Sequence, residues 1–352
     1  MAAKDLESKI KALIKQDGPI SIANFMQMVL LDPEFGYYIK QDPFGESGDF
    51  ITAPEISQVF GEIIGAYIAY KWQEMGEPDE FQVVELGPGN GALMHDILRT
   101  LKIIPKLFAS LKIHLVEISP TLRKKQLETL KSFNLPIVHH DDLTKIPKIK
   151  SYIVANEFFD ALPINQYQYR EGSWHEKKIK LGKDDHFIFA LEPNKGKVDF
   201  IREMKKPKDD DVYEISFQAI NVMVELSNFI SKTGSNAMFI DYGYIEKSYG
   251  DTFQALKKHK FNHIFENLGE ADLTAHVDFE ELSTIAAKND NIEVSLATQG
   301  EFFSNFGYKE RTEALKRKSD RETAKLLDTV QDRILHPNQM GELFKVMLVE
   351  TS

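Results

Sequence analysis

The stretch with the densest chemical content is Glu85-Leu86-Gly87-Pro88-Gly89-Asn90-Gly91, which follows an apolar run at 82–86 and precedes helical periodicity over 93–101. Glycines in such a place let the chain turn sharply and let a ligand lie against bare backbone, and the amides of the following helix face that ligand. Two ligand classes use this turn. A dinucleotide site wants G-x-G-x-x-G/A, which Gly87, Gly89 and Ala92 satisfy. An S-adenosylmethionine site favours an acid two residues before the first glycine and a G-x-G-x-G run, which Glu85, Gly87, Gly89 and Gly91 satisfy. The next strand separates them. A nicotinamide-ribose acid is expected about 20 residues on. The strand-ending acid here is instead Glu117, 30 residues after Gly87, where the ribose of S-adenosylmethionine would be held. Asp141 and Asp142 close the third strand, where the adenine would lie. The dinucleotide remains the alternative ligand, and a plain strand-to-helix turn the bland one.

The fourth strand, 152–155, runs into Asn156-Glu157-Phe158-Phe159-Asp160-Ala161-Leu162-Pro163. Carboxylates at the carboxyl end of a central strand face the ligand crevice, and burying them is costly unless they are solvated, paired or functional. Glu157 reads as functional; Asn156 or Asp160 could equally cap a short helix. Residues 48–57 join a glycine-flexed loop to Asp49, Thr52 and Glu55, either as a lid over the ligand or as helix capping by Thr52 with Pro54 in the first turn. His139 and His140 do not suggest a metal, because strand alternation points them to opposite faces.

These residues need a scaffold, and the chain spells one out. Short strands at 82–86, 113–118, 136–139, 152–155, 237–241, 292–296 and 344–349 alternate with helices. That pattern predicts an α/β protein with a mostly parallel sheet covered on both faces. The first eighty residues read as helices at 6–14, 21–31 and 54–75, with a loop at 36–54. Between 164 and 235, Tyr167, Tyr169, Trp174, Phe187 and Phe189 alternate with polar residues, as in an inserted antiparallel sheet, followed by a helix near 216–232. The expected division is therefore 1–80, a helical or lid region; 81–163 with 236–352, the ligand-binding core; and 164–235, a substrate-side module. The apolar stripe Ile63, Ile64, Tyr67 and Ile68 suits a core, or a subunit contact in a homodimer.

Composition sets the bounds. A net charge of −11 opposes nonspecific nucleic-acid binding and a polybasic membrane anchor. The absence of Cys excludes disulfides, thiolate-bound zinc and a thiol nucleophile. A 42% hydrophobic content with 24 Phe supplies a large core. No apolar run approaches the roughly 18 residues of a membrane span. The N-terminus shows neither signal nor transit character, so a bacterial cytoplasmic enzyme is expected.

Taken together, these motifs resemble the MidA-like family of S-adenosylmethionine-dependent methyltransferases, known also through mitochondrial complex I assembly methyltransferases. The resemblance rests on residues 48–57 with Phe60-Gly61-Glu62, the Glu85 to Gly91 turn, Val116-Glu117-Ile118-Ser119-Pro120 with Leu122, Arg123 and Gln126, and Asn156 to Pro163. It continues through Ile240-Asp241-Tyr242-Gly243, residues 269–279, Thr298-Gln299-Gly300 and residues 340–346. It implies a Rossmann-like sheet, S-adenosylmethionine as cofactor with no metal, and methyl transfer to protein arginine to give symmetric dimethylarginine. The implied partner is a protein, with a respiratory-complex subunit as one example. Glu157, Asp160 and His276 are then the catalytic candidates. Glu157 and Asp160 would grip the guanidinium, while Asp272, His276 and Asp278 close the other side. His276 would relay a proton or merely brace its loop. Glu85, Gly87, Gly89, Gly91, Glu117, Asp141, Asp142, Asn156 and Thr52 are the cofactor candidates. Ile215-Ser216-Phe217 and His263-Ile264-Phe265 depart from the family pattern, both on the expected substrate side.

Overall fold

The computed structural model describes residues 4–40, 52–193, 198–202, 204–258 and 260–352, so Gly48 to Ile51 of the expected lid lie outside the described residues. Helix α1 (Leu6–Asp17) starts at Asp5, whose carboxylate accepts the Ser8 N–H at 2.7 Å. A two-residue strand β1 (Ile20–Ser21) leads into α2 (Ile22–Leu31), capped by Ser21 as its hydroxyl predicts. A short helix α3 (Tyr37–Lys40) stands in the stretch read as loop. The helix expected over 54–75 is two, α4 (Ala53–Ile56) and α5 (Gln58–Glu74). Ser57 makes the break: in extended conformation, it closes α4 on the Ala53 carbonyl and caps α5 by accepting the Phe60 N–H at 3.3 Å.

The core then runs β2 (Phe81–Leu86), α6 (Ala92–Leu101), α7 (Pro105–Ser110), β3 (Leu111–Val116), α8 (Pro120–Leu130), β4 (Ile137–His140) and β5 (Ser151–Asn156). An antiparallel set follows, β6 (Asn165–Arg170), β7 (Ser173–Leu181), β8 (Phe187–Pro193) and β9 (Val212–Ile215), then α9 (Phe217–Thr233) and β10 (Asn236–Tyr244). Three short strands, β11 (Gln254–Lys257), β12 (Lys260–Asn262) and β13 (Asp272–Thr274), form a small sheet that was not expected. The chain ends through β14 (Val277–Asp278), α10 (Phe279–Ala286), β15 (Ile292–Thr298), α11 (Gln299–Asn305), α12 (Tyr308–Lys316), α13 (Arg321–Leu335) and β16 (Phe344–Thr351).

The large sheet has the order β15-β16-β10-β5-β2-β3-β4, with β14 beside β10. Strands β4, β3, β2, β5 and β10 are parallel, and β16 inserts antiparallel between β10 and β15. The chain winds outward from β2 through β3 to β4, then restarts at β5 and winds the other way. The carboxyl ends of β2 and β5 therefore flank the switch-point crevice where open α/β sheets bind ligands. Those ends carry the Gly87 turn and Glu157.

Each face of the sheet is covered. On one, α5 and α6 bury Ile63, Ile64, Tyr67 and Ile68 against Val83, Ile113 and Tyr152. The stripe is thus filled by the chain's own core, which removes the subunit-contact reading of it. On the other face, Met223, Leu226 and Ile230 of α9 pack on Ile153, Phe239 and Met347, so α9 covers the main sheet, although the division at 235 grouped it with the insertion. Burying side chains of this size contributes about 1.5–3 kcal/mol each. Strands β1, β7, β6 and β9, with β8 on β7, make the antiparallel sheet. A further core joins α1 and α2 to Ile164, Ile179, Phe187 and Leu273. The N-terminal helices and the insertion consequently share a core, and Leu31 and Tyr38 carry the N-terminal helices to the cavity wall. No helix among the described residues is long and apolar enough to cross a membrane.

Candidate active site

The glycine turn has the conformation its composition demands. Gly87, Gly89 and Gly91 have φ of 61°, 51° and 85°, in the left-handed region. The backbone angle at Gly87 favours glycine, and a Cβ there would lie 3.1 Å from Cδ2 of Phe158, so that ring would have to shift by a few tenths of an ångström. Helix α8 clamps the turn from outside: Gln126 Nε2 donates to the Gly89 carbonyl at 2.7 Å, and Thr129 Oγ1 to that of Asn90 at 2.9 Å. Glu85, 3% exposed, has one carboxylate oxygen without a partner among the described residues. Burial, with the nearby Glu117, pushes its carboxyl up to about 8. Glu117 accepts the Ser119 N–H at 2.8 Å and Gln126 Nε2 at 3.3 Å, and burial raises it against those bonds. A bare-backbone cradle beside two buried carboxyls, one of them Glu85 with an unpartnered oxygen, fits a cationic ligand bearing ribose hydroxyls, as S-adenosylmethionine is.

A cavity of about 320 Å³ opens from this turn. Gly87, Gly89, Glu117, Asp141 and Asp142 line it together with Glu157, Asp160, Tyr38 and Asp272, with Thr52 also on the wall. Seven carboxylate residues line it, counting Glu225, and no Lys or Arg among the described residues does. Asp141 is exposed and pairs with Arg123 at 2.6 Å and Lys145 at 3.0 Å, while Asp142 accepts the Thr144 N–H at 2.9 Å. The Thr52 N–H donates to Glu55 at 3.1 Å, closing the first turn of α4. Asn156, Glu85 and Thr52 share a smaller adjoining pocket with Gly87, Gly89 and Glu157.

Glu157 follows β5 with φ of 51°. For a residue with a side chain this conformation costs about 1–2 kcal/mol, and such strain gathers at functional sites. Its N–H donates to the Ile240 carbonyl at 2.9 Å, and its carboxylate accepts Asn156 Nδ2 at 3.1 Å. Burial and then Asp160 push its carboxyl up to about 8. Asp160 is also buried and raised by burial. Both sit on a turn held by Asp241, whose Oδ2 accepts the N–H groups of Phe158, Phe159 and Asp160 at 3.1, 2.9 and 3.2 Å. Burial and the carboxyls of Asp160 and Glu157 push Asp241 up, and these amide donors pull the other way. On the same cavity wall the Tyr38 hydroxyl donates to Asp272 at 3.2 Å, and burial keeps that phenol protonated.

Tyr38 and Asp241 were not among the sequence candidates. Tyr38 sits in a stretch that reads as loop. Two signals point at Asp241, the family stretch Ile240-Asp241-Tyr242-Gly243 and a lone acid ending the apolar run Ala237-Met238-Phe239-Ile240, and neither assigns it a role. His276 is not on the wall of the large cavity. It lines a separate pocket of about 30 Å³ with Glu214, Tyr244, Lys247 and Asp278. Its N–H donates to Thr252 Oγ1 at 2.9 Å, its ring stands edge-on to Tyr242, and burial lowers its pKa. Asp278 caps α10 and pairs with Lys247. His139 and His140 do diverge, His139 to Gln126 and His140 to His114.

A family model described as S-adenosyl-L-methionine-dependent methyltransferase matches residues 63–298. Protein arginine methyltransferase NDUFAF7, mitochondrial, of Xenopus tropicalis is 34% identical over 363 residues, 96% of this chain and 83% of that protein. Its Homo sapiens counterpart is 34% identical over 356 residues, 94% of this chain and 80% of that protein. Both names carry a mitochondrial location, in contrast to the bacterial cytoplasm expected from the sequence. A Burkholderia thailandensis protein crystallised with S-adenosyl-homocysteine shares the fold, with a TM-score of 0.86 at 24% identity over 98% of this chain and 91% of that one. The chain belongs to the S-adenosyl-L-methionine-dependent methyltransferase family.

Proposed function

We propose that this methyltransferase acts on arginine side chains of a partner protein, with Glu157 and Asp160 holding the guanidinium. The observation that carries this is the single cavity joining the glycine turn to Glu157, Asp160 and Asp272, with no cationic side chain among its described lining. Such a wall repels phosphate and carboxylate acceptors and attracts a planar cation. The protein arginine methyltransferase named among the relatives supports the same acceptor.

When bound, S-adenosylmethionine supplies a methyl group already activated on a sulfonium. The side chains then have to align the acceptor and manage charge. On the cofactor side, Glu85, Glu117, Asp141 and Asp142, with Asn156 and Thr52 near the turn, are the residues suited to holding it. On the acceptor side, the guanidinium, with an ordinary pKa above about 12, pairs with the carboxylates of Glu157 and Asp160. Methylation leaves the attacked nitrogen one proton in excess. Pairing with the guanidinium favours the ionised form of Glu157, whose carboxyl burial otherwise pushes up to about 8, and that ionised carboxylate is placed to take the proton. Asp241 keeps both carboxylates on one turn, and Tyr38 with Asp272 borders the same space. Methylation of both terminal nitrogens, giving symmetric dimethylarginine, and a respiratory-complex subunit as acceptor complete the proposal.

The test is transfer of isotope-labelled methyl from S-adenosylmethionine to proteins of the host, followed by complete hydrolysis and separation of amino acids. Label in symmetric dimethylarginine supports the proposal. Label in another residue or only in a small molecule overturns it.

A further inference from the structure

Gln126 is fully buried, and every polar atom of its amide is engaged. Its Nε2 donates to the Gly89 carbonyl at 2.7 Å and to Glu117 Oε2 at 3.3 Å. An amide nitrogen has two N–H donors, so both are used, and Oε1 is left needing a donor. That donor is His139 Nε2, 2.8 Å away on β4. The bond fixes the His139 tautomer, with the proton on Nε2, and it fixes which way the Gln126 amide points. A flipped amide would set its oxygen against the Glu117 carboxylate and the Gly89 carbonyl, leaving buried acceptors facing one another.

We infer that His139 is a positioning residue for the methyl donor: acting through Gln126, it holds the Gly89 turn and Glu117 in the arrangement that binds the cofactor. It touches neither acceptor nor cofactor site directly; His139 does not line the cavity. The chain of contacts runs from a histidine on one strand, through a helix, to the turn and strand end of two others, so one hydrogen bond sets the relation between four elements. The inference rests on the cofactor assignment and is independent of the acceptor's identity.

The test is calorimetric titration of S-adenosylhomocysteine into the full chain. His139→Leu removes the donor and is expected to weaken binding about tenfold, the scale of one buried hydrogen bond. His139→Asn, whose amide is too short to reach Gln126, should weaken it similarly. His139→Gln, which brings an N–H to the position of Nε2, should restore binding to within about threefold. In a Gln126→Leu background the further loss from His139→Leu should vanish, because the two act in series. Unchanged affinity in His139→Leu and His139→Asn overturns the inference. So does an undiminished effect of His139→Leu when Gln126 is already leucine. Circular dichroism and thermal melts of each variant confirm the fold, and a variant that is unfolded is replaced in the comparison by the other donor-less one. The readout needs no acceptor, so failure to find dimethylarginine leaves this result standing.

Discussion

The Asp241 carboxylate accepts the backbone N–H of Asp160 at 3.2 Å, and the same oxygen also takes the two preceding amides. Its other oxygen accepts the Tyr242 N–H at 2.9 Å. One side chain at the end of β10 thereby shapes the turn at the end of β5. Asp241→Asn keeps one oxygen but turns an NH₂ group towards a backbone donor. It should cost about 1–3 kcal/mol of stability, read by urea unfolding, and should depress methyl transfer even where the protein is folded.

Glu157→Gln removes the ionisable carboxyl while keeping the shape. If Glu157 grips the acceptor and takes its proton, kcat/KM for methyl transfer should fall by about 100-fold or more, on the scale of losing a preorganised electrostatic contact. Affinity for S-adenosylhomocysteine should change by no more than about threefold. An equal fall in both would make Glu157 a cofactor residue instead.

The same carboxyl predicts a pH signature. In the unfolded chain it titrates near about 4.3, and in the folded one at about 8. Between those values the folded state holds a proton that the unfolded state has lost, so raising pH through this window removes stability. Thermal melts from pH 5.5 to 8.5 should show wild type losing ground steadily to Glu157→Gln. Parallel curves would mean that Glu157 is already ionised in the folded protein.

Gly87→Ala meets two obstacles, the left-handed φ of 61° and the Phe158 ring 3.1 Å from the new Cβ. The backbone cost alone is about 1–2 kcal/mol. Binding of S-adenosylhomocysteine should weaken by about tenfold or more, and trimming Phe158→Leu should recover only part of it. Full recovery would make the ring, and not the backbone angle, the decisive constraint.

Tyr38→Phe deletes the hydroxyl facing Asp272 without altering the ring. The expected loss is about 1 kcal/mol of stability or less, since Asp272 is left with a missing donor. A rise in KM for the protein acceptor at unchanged cofactor affinity would assign Tyr38 to the acceptor side; a change in cofactor affinity would assign it to the other.

What the sequence determined by itself was local. Three glycines after a strand, with acids at the ends of that strand and the next ones, encode the ligand turn because strand and turn geometry act over a few residues. Alternation alone separated His139 from His140. Helix periodicity found α5 but not its break at Ser57, which depends on one extended residue. The tertiary structure decided what meets what. It brought Tyr38 and Asp272 to Asp160 across more than a hundred residues of chain each way, tied the Glu157 turn to Asp241, buried the Ile63 to Ile68 stripe, and set His276 in a different pocket. Those relations arise from burial and from pairing of polar groups between distant elements, and no short-range spacing encodes them.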